Sequence, residues 1–231
     1  MDTTYFLKER TRMIRYLYAE GARSFTVTQQ KIEDEVPPYD DPPYSEDPEP
    51  PYLGVWLQAA AARDMLAIFC ISLLSDTLKL YLETLRSRVI GFRFVSAQPF
   101  RDGFVPAYKE VLGKMLETDW TDCPADLGII EQVVLARNRG QHSESLATLN
   151  VTHDPRTLRK YPRPFFASED ECDTWTRSGG DPNSFLKPSI KISSETLIAA
   201  IDNVEKLADW IDSRLDRAWA WRDRAGSPSD S

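Results

Sequence analysis

Met65-Leu-Ala-Ile-Phe-Cys-Ile-Ser-Leu-Leu74 is apolar on every face that a helix would present. A helix of that kind is buried, or is shared between a core and a subunit contact. The helical pattern extends outward from it, from Tyr52 to about Val89, with Asp64 at one end of the apolar stretch and Asp76 just beyond the other. Each carboxylate reads either as a surface residue or as the partner of an Arg on another helix. Cys70 reads as a small buried hydrophobe rather than a reactive thiol. Ten apolar residues are about half of what a membrane span requires. The stretch therefore predicts the central helix of a packed core.

The flanks supply helices to cover it. Phe6, Met13, Ile14, Leu17 and Tyr18 share one face of a helix over Tyr5 to about Ala22, which Gly21 would end. Val105 to Glu117 reads as a short helix. Thr121-Asp-Cys-Pro124 is a start signal for a helix from Ala125 through Ile129, Ile130, Val133 and Val134 into Arg137-Asn-Arg-Gly-Gln-His142. Ser193 or Ser194 caps a long last helix. On it Leu197, Ile201, Val204, Ala208, Ile211 and Leu215 form a heptad-like seam, extended by Trp219. The fold class is all-α: a bundle of about four to five helices forming one domain over residues 1–225, with a disordered tail at 226–231.

Two segments interrupt the pattern. Residues 31–51 hold seven of the 16 prolines, and residues 31–50 hold eight carboxylates against Lys31 alone, or -7 of the net charge of -8. This acidic, Pro-rich flap reads as a solvated loop, or as a cover for a basic surface or a dock for a basic partner. Tyr39, Tyr44 and Tyr52 are its sticking points. Residues 153–188 are turn-rich and form an irregular insertion with room for one short hairpin. Tyr161, Phe165, Phe166, Trp175 and Phe185 should pin it to the body.

The remaining 211 residues carry only -1, so the low overall pI does not exclude a nucleic-acid partner. Three Cys without CxxC spacing exclude a disulfide scaffold. The N-terminus mixes Lys8, Glu9 and Arg10 with apolar residues and lacks a signal-peptide pattern. The expectation is a cytoplasmic protein with reduced thiols and no membrane association. Two His and scattered Cys leave little material for a metal site, and no Gly-rich phosphate loop or GxSxG is present. Neither a metal nor a cofactor is expected.

One constellation bears chemistry: Arg137-Asn138-x3-His142. With 19 Arg and 2 His, an Arg followed by His at this range of spacings is expected by chance roughly 0.5 times. An Asn directly after the Arg reduces that to roughly one in a hundred. Positions five apart on a continuous helix lie about 140° apart, and Gly140 between them is where a helix bends or breaks. A turn there would bring guanidinium and imidazole to one side. Imidazole serves as base or acid near neutrality. Guanidinium binds phosphate oxygens in a planar fork, and Asn138 could orient either group. Together they suit RNA cleavage by attack of the 2′-hydroxyl on the adjacent phosphate. Arg139, Arg156, Arg159, Lys160 and Arg163 add RNA-binding cations, so residues 137–163 carry +6 and -2. One imidazole cannot be base and acid at once. A two-fold dimer would supply a second Arg137 and His142. Against this stands a plainer reading, in which Arg137 pairs with a carboxylate and His142 lies at the surface of a helix end.

Arg137-Asn138-x3-His142 on an apolar helix, in an all-α chain of this size, resembles the HEPN superfamily. Lys191-Ile-Ser-Ser-Glu-Thr-Leu-Ile-Ala-Ala-Ile-Asp, running into the last helix, looks like the C-terminal helix of operon-encoded HEPN proteins. The resemblance covers most helices and one motif; flap and insertion lie outside it. It implies a helical bundle, a homodimer with facing motifs, and metal-independent endoribonuclease activity in a toxin or defence effector, often beside an antitoxin or operon partner. It makes Arg137 and His142 catalytic and Asn138 their polar helper. One group of the family has Tyr two residues after the His, where a partner enzyme modifies it. Here Glu144 stands in that place, so silencing by that route is not expected. The alternative function is a non-catalytic helical adaptor or regulatory subunit that dimerises and binds a partner.

Overall fold

A computed structural model describes residues 2–42, 44, 46, 48–94, 98–140 and 151–226. The described residues are all-α, with one isolated bridge between Thr152 and Ser189. Helix α1 (Thr3–Glu33) and helix α2 (Leu53–Thr84) pack side by side. Helix α3 (Phe104–Met115) and helix α4 (Leu127–Gly140) follow, then two short helices, α5 (Pro155–Lys160) and α6 (Glu169–Arg177). Helices α7 (Ser194–Asp212) and α8 (Leu215–Gly226) complete the bundle.

The apolar stretch forms the centre. Ala67, Cys70, Ile71, Leu74 and Leu78 of α2 are completely buried, and α1, α4 and α7 pack around them. Burial pushes the Cys70 thiol up to about 11, as expected for an inert core residue. Beyond Thr84 the same rod widens into a π-helical turn, Leu85–Ile90, and stops at Gly91 in the left-handed conformation. By length and composition, Leu53–Ile90 would suffice to cross a membrane; half of its most apolar window is buried inside this fold.

Several boundaries differ from the sequence expectation. Helix α1 passes straight through Gly21 to Glu33, so the flap begins at Asp34 rather than Lys31. Gly21 is a packing residue: a Cβ there would lie 2.8 Å from Leu66 Cδ2, and its absence lets α1 and α2 approach closely. The start of α4 is set by Asp126, not by Thr121 and Pro124. The Asp126 carboxylate accepts from the backbone of Gly128 at 2.7 Å and of Ile129 at 3.2 Å. The last helix breaks after Asp212, separating α7 from α8. That break and the two helices of the insertion raise the number of α-helices among the described residues to eight.

The expected cap of α7 is Ser193, in a reciprocal capping box with Thr196. Leu197, Ile201, Val204, Ala208 and Ile211 are all buried within the chain. The heptad-like seam is therefore spent on the internal core and offers nothing to a second subunit. Trp219 continues it only partly; the ring is exposed and its indole N–H donates to the Val89 carbonyl at 3.2 Å.

The insertion is more regular than its turn residues suggest. The isolated Thr152–Ser189 bridge takes the place of a hairpin. Asp154 caps α5, accepting from the backbone of Arg156 and Thr157. Phe166 and Trp175 are buried, whereas Phe185 is fully exposed and pins nothing. At the flap's root the Tyr39 and Tyr52 rings pack edge to face at 5.0 Å, and Trp56 donates to Glu33 at 2.8 Å. Tyr44 is exposed. The expected tail, beyond Gly226, lies outside the described residues.

Candidate functional site

Arg137 and Asn138 occupy the last described turn of α4. Ile130, Val133 and Val134 lie seven, four and three residues before Arg137, on the same face of the helix, and are buried, so Arg137 continues the core-facing stripe of α4 at its end. Gly140 brings the end of α4 down onto α2. A Cβ at Gly140 would sit 2.8 Å from Ile68 Cγ2. The glycine placed between Arg137 and His142 is thus a point of close helix–helix contact. His142, on which the chemistry depends, lies outside the described residues.

The guanidinium of Arg137 is one-quarter exposed and faces the α2 carboxylate of Asp76 at 3.4 Å. Asp76 is thereby the partner of an Arg on another helix. Arg137 Nη1 donates to Asn138 Oδ1 at 3.3 Å, so the two neighbouring side chains touch. Arg137 Nε is buried with no hydrogen-bond partner among the described residues. Lys79, one turn beyond Asp76, belongs to the same group. Burial, and then the charge of Arg137, depress its pKa, against the pull of Asp76. Its ammonium lies 5.9 Å from the centre of the Phe104 ring. The charge on this surface is two cations around one carboxylate. Lys79 was not singled out from sequence; its spacing of three from Asp76 on a helix is the signal that could have found it.

The downstream cations are placed unequally. Arg139 turns inward, and its Nε donates to the Thr152 carbonyl at 2.9 Å. Lys160 reaches both oxygens of Glu131, at 2.6 and 2.7 Å. Arg163 pairs with Asp173 at 2.8 Å. Arg156 and Arg159 are exposed on α5. The segment is basic in sequence, but carboxylates from α4 and α6 neutralise two of its cations in space, and Arg139 serves to hold backbone. His153, the second imidazole, is buried, donates through Nε2 to the Phe166 carbonyl at 2.9 Å, and has its pKa lowered by that burial. It is a structural residue of the insertion.

An exposed apolar stripe adjoins Arg137. On α2, Met65, Phe69 and Leu80 are each about half exposed. Asp76 stands seven residues after Phe69 and four before Leu80, hence on the same helical face. On α1, Phe6, Met13 and Leu17 are exposed at spacings of seven and four. Phe6 and Leu80 line one surface hollow, which places the two stripes side by side.

Among the described residues no three His, Cys, Asp or Glu side chains converge as metal ligands. Comparison of the chain with family models, with curated proteins and with solved structures returns no match.

Proposed function

We propose that the protein is a metal-independent endoribonuclease of the HEPN type that acts as a two-fold homodimer, in the role of a toxin or defence effector. The observation that carries this reading is the placement of Arg137. Its guanidinium, one-quarter exposed, stands near the end of α4, in contact with Asn138 and beside an apolar stripe that could seat a second copy. In the proposed reaction the RNA 2′-oxygen forms a bond to phosphorus as its proton passes to one His142. The bond from phosphorus to the 5′-oxygen breaks, and the second His142 protonates that leaving oxygen. Arg137 holds the non-bridging oxygens as charge grows on them. Lys79 adds a second cation near that phosphate.

The stripe supports the dimer because Asp76, the partner of Arg137, belongs to it. A two-fold contact there sets one Arg137 near its mate. RNA is the proposed substrate, the cytoplasm the proposed compartment, and an operon-encoded antitoxin the proposed protein partner. The test is incubation of the purified protein with mixed RNAs in EDTA. Fragments ending in 2′,3′-cyclic phosphate support the proposal; intact RNA, or cleavage only on adding Mg²⁺, overturns it.

A further inference from the structure

A second site lies away from Arg137. Helix α1, the first half of α2 and the entry to α7 enclose a cleft of about 770 Å³, within the range of sites for small organic molecules. Its floor is apolar. Tyr18, Ala22, Leu197 and Ile201 line it and are buried, while Val27 and Ile198 stand exposed at its mouth.

Four cations and two carboxylates, Asp64 and Glu195, line the cleft, and the cations are not equivalent. Arg15 pairs with Asp202 at 2.6 Å, Arg23 with Glu20 at 2.8 Å, and Lys191 with Asp64 at 2.6 Å. Arg63 makes no hydrogen bond or ion pair with any described residue, although it is only partly exposed and lines the same cleft. Burial raises the pKa of the Tyr18 hydroxyl, and the charge of Arg63 opposes that rise while Asp64 and Glu195 add to it. The helix terminus at Ser194 offers little to an anion, because Glu195 already places a carboxylate in its first turn. A guanidinium with no ion-pair partner among the described residues, on the lining of a cleft with an apolar floor, suits one planar anion on an apolar body.

We propose that this cleft binds a small apolar carboxylate, with its hydrocarbon body on Tyr18, Ala22, Leu197 and Ile201 and its carboxylate on Arg63. A nucleotide fits less well, since its ribose and base would face a floor with few hydrogen-bonding groups. The assignment is independent of the nuclease proposal.

The experiment is calorimetric titration of the full chain with dodecanoate below its micelle concentration, with dodecylammonium and dodecanol as controls. The structure predicts saturable binding of one dodecanoate per chain and at least tenfold weaker binding of both controls. Arg63→Gln should weaken dodecanoate at least tenfold, and Arg63→Lys should restore part of the loss. Ala19→Trp, at the exposed rim, should block the cleft without disturbing the core, with unchanged thermal unfolding as its check. Absence of saturable binding overturns the proposal. So does equal affinity for dodecylammonium, or an affinity that neither Arg63→Gln nor Ala19→Trp alters.

Discussion

Substituting Gly140 by Ala tests how α4 presents Arg137. The added Cβ would stand 2.8 Å from Ile68 Cγ2. Comfortable carbon–carbon contact begins near 3.5 Å, so one partner must yield by about 0.7 Å. Ile68 is β-branched and stiff at χ1, and sits on the central helix. The end of α4 should therefore move instead. Overpacking of this kind costs about 1–3 kcal/mol. The gain in helix propensity from Gly to Ala offsets at most ~1 kcal/mol, and less in a last turn. The expected net loss is about 1–2 kcal/mol, read as a lower urea midpoint at unchanged slope. An Ile68→Ala background removes the obstructing methyl, and there the same substitution should cost less than about 0.5 kcal/mol. Displacement of α4 should also shift Arg137 itself, so Gly140→Ala should lose RNA cleavage out of proportion to its stability. A Gly140→Ala protein as stable as the parent, or one destabilised equally in both backgrounds, would refute the packing argument.

Three further outcomes follow from named groups. Asp76→Asn should tighten RNA binding by up to about fivefold at low salt. A partner more than half exposed makes the competing ion pair worth no more than ~1 kcal/mol; weaker binding by fluorescence anisotropy would instead make Asp76 the group that orients Arg137. Phe69→Glu, placed in the exposed stripe, should convert a two-fold dimer into a monomer in sedimentation at micromolar concentration; a dimer that survives it would move the interface elsewhere. Because burial lowers the pKa of His153, the folded state resists a proton that the unfolded state accepts. Stability should fall as pH drops below about 6.5, by at most ~1.4 kcal/mol per unit until the folded value is reached; His153→Gln should flatten that slope in pH-dependent unfolding, and an unchanged slope would show that other groups set it.

The core of the fold was legible because its signals are local. An all-round apolar run reads as a central helix, and Ser193 with Thr196 reads as a cap. What escaped was spatial. A glycine that ends a helix and a glycine that admits a neighbouring helix look alike in sequence. Gly21 was read as the first kind and is the second, since only the fold shows Leu66 above it. A heptad-like seam reads the same whether it faces a partner or the chain's own core; here α7 faces inward. Charge counted along residues 137–163 missed Glu131 and Asp173, which neutralise Lys160 and Arg163 from outside or across that stretch. At the site, contact between Arg137 and Asn138 could be expected from adjacency. Lys79 and the Arg63 cleft depend on packing between helices that the sequence does not order in space.

The central claim is that Arg137 and His142 cleave RNA without a metal. Cleavage of mixed RNAs in EDTA by the parent protein and by His142→Ala, at equal helical content, tests it most directly. The account predicts fragments with cyclic phosphate ends from the parent and none from the variant. Equal cleavage by both proteins, or none by either, would contradict it.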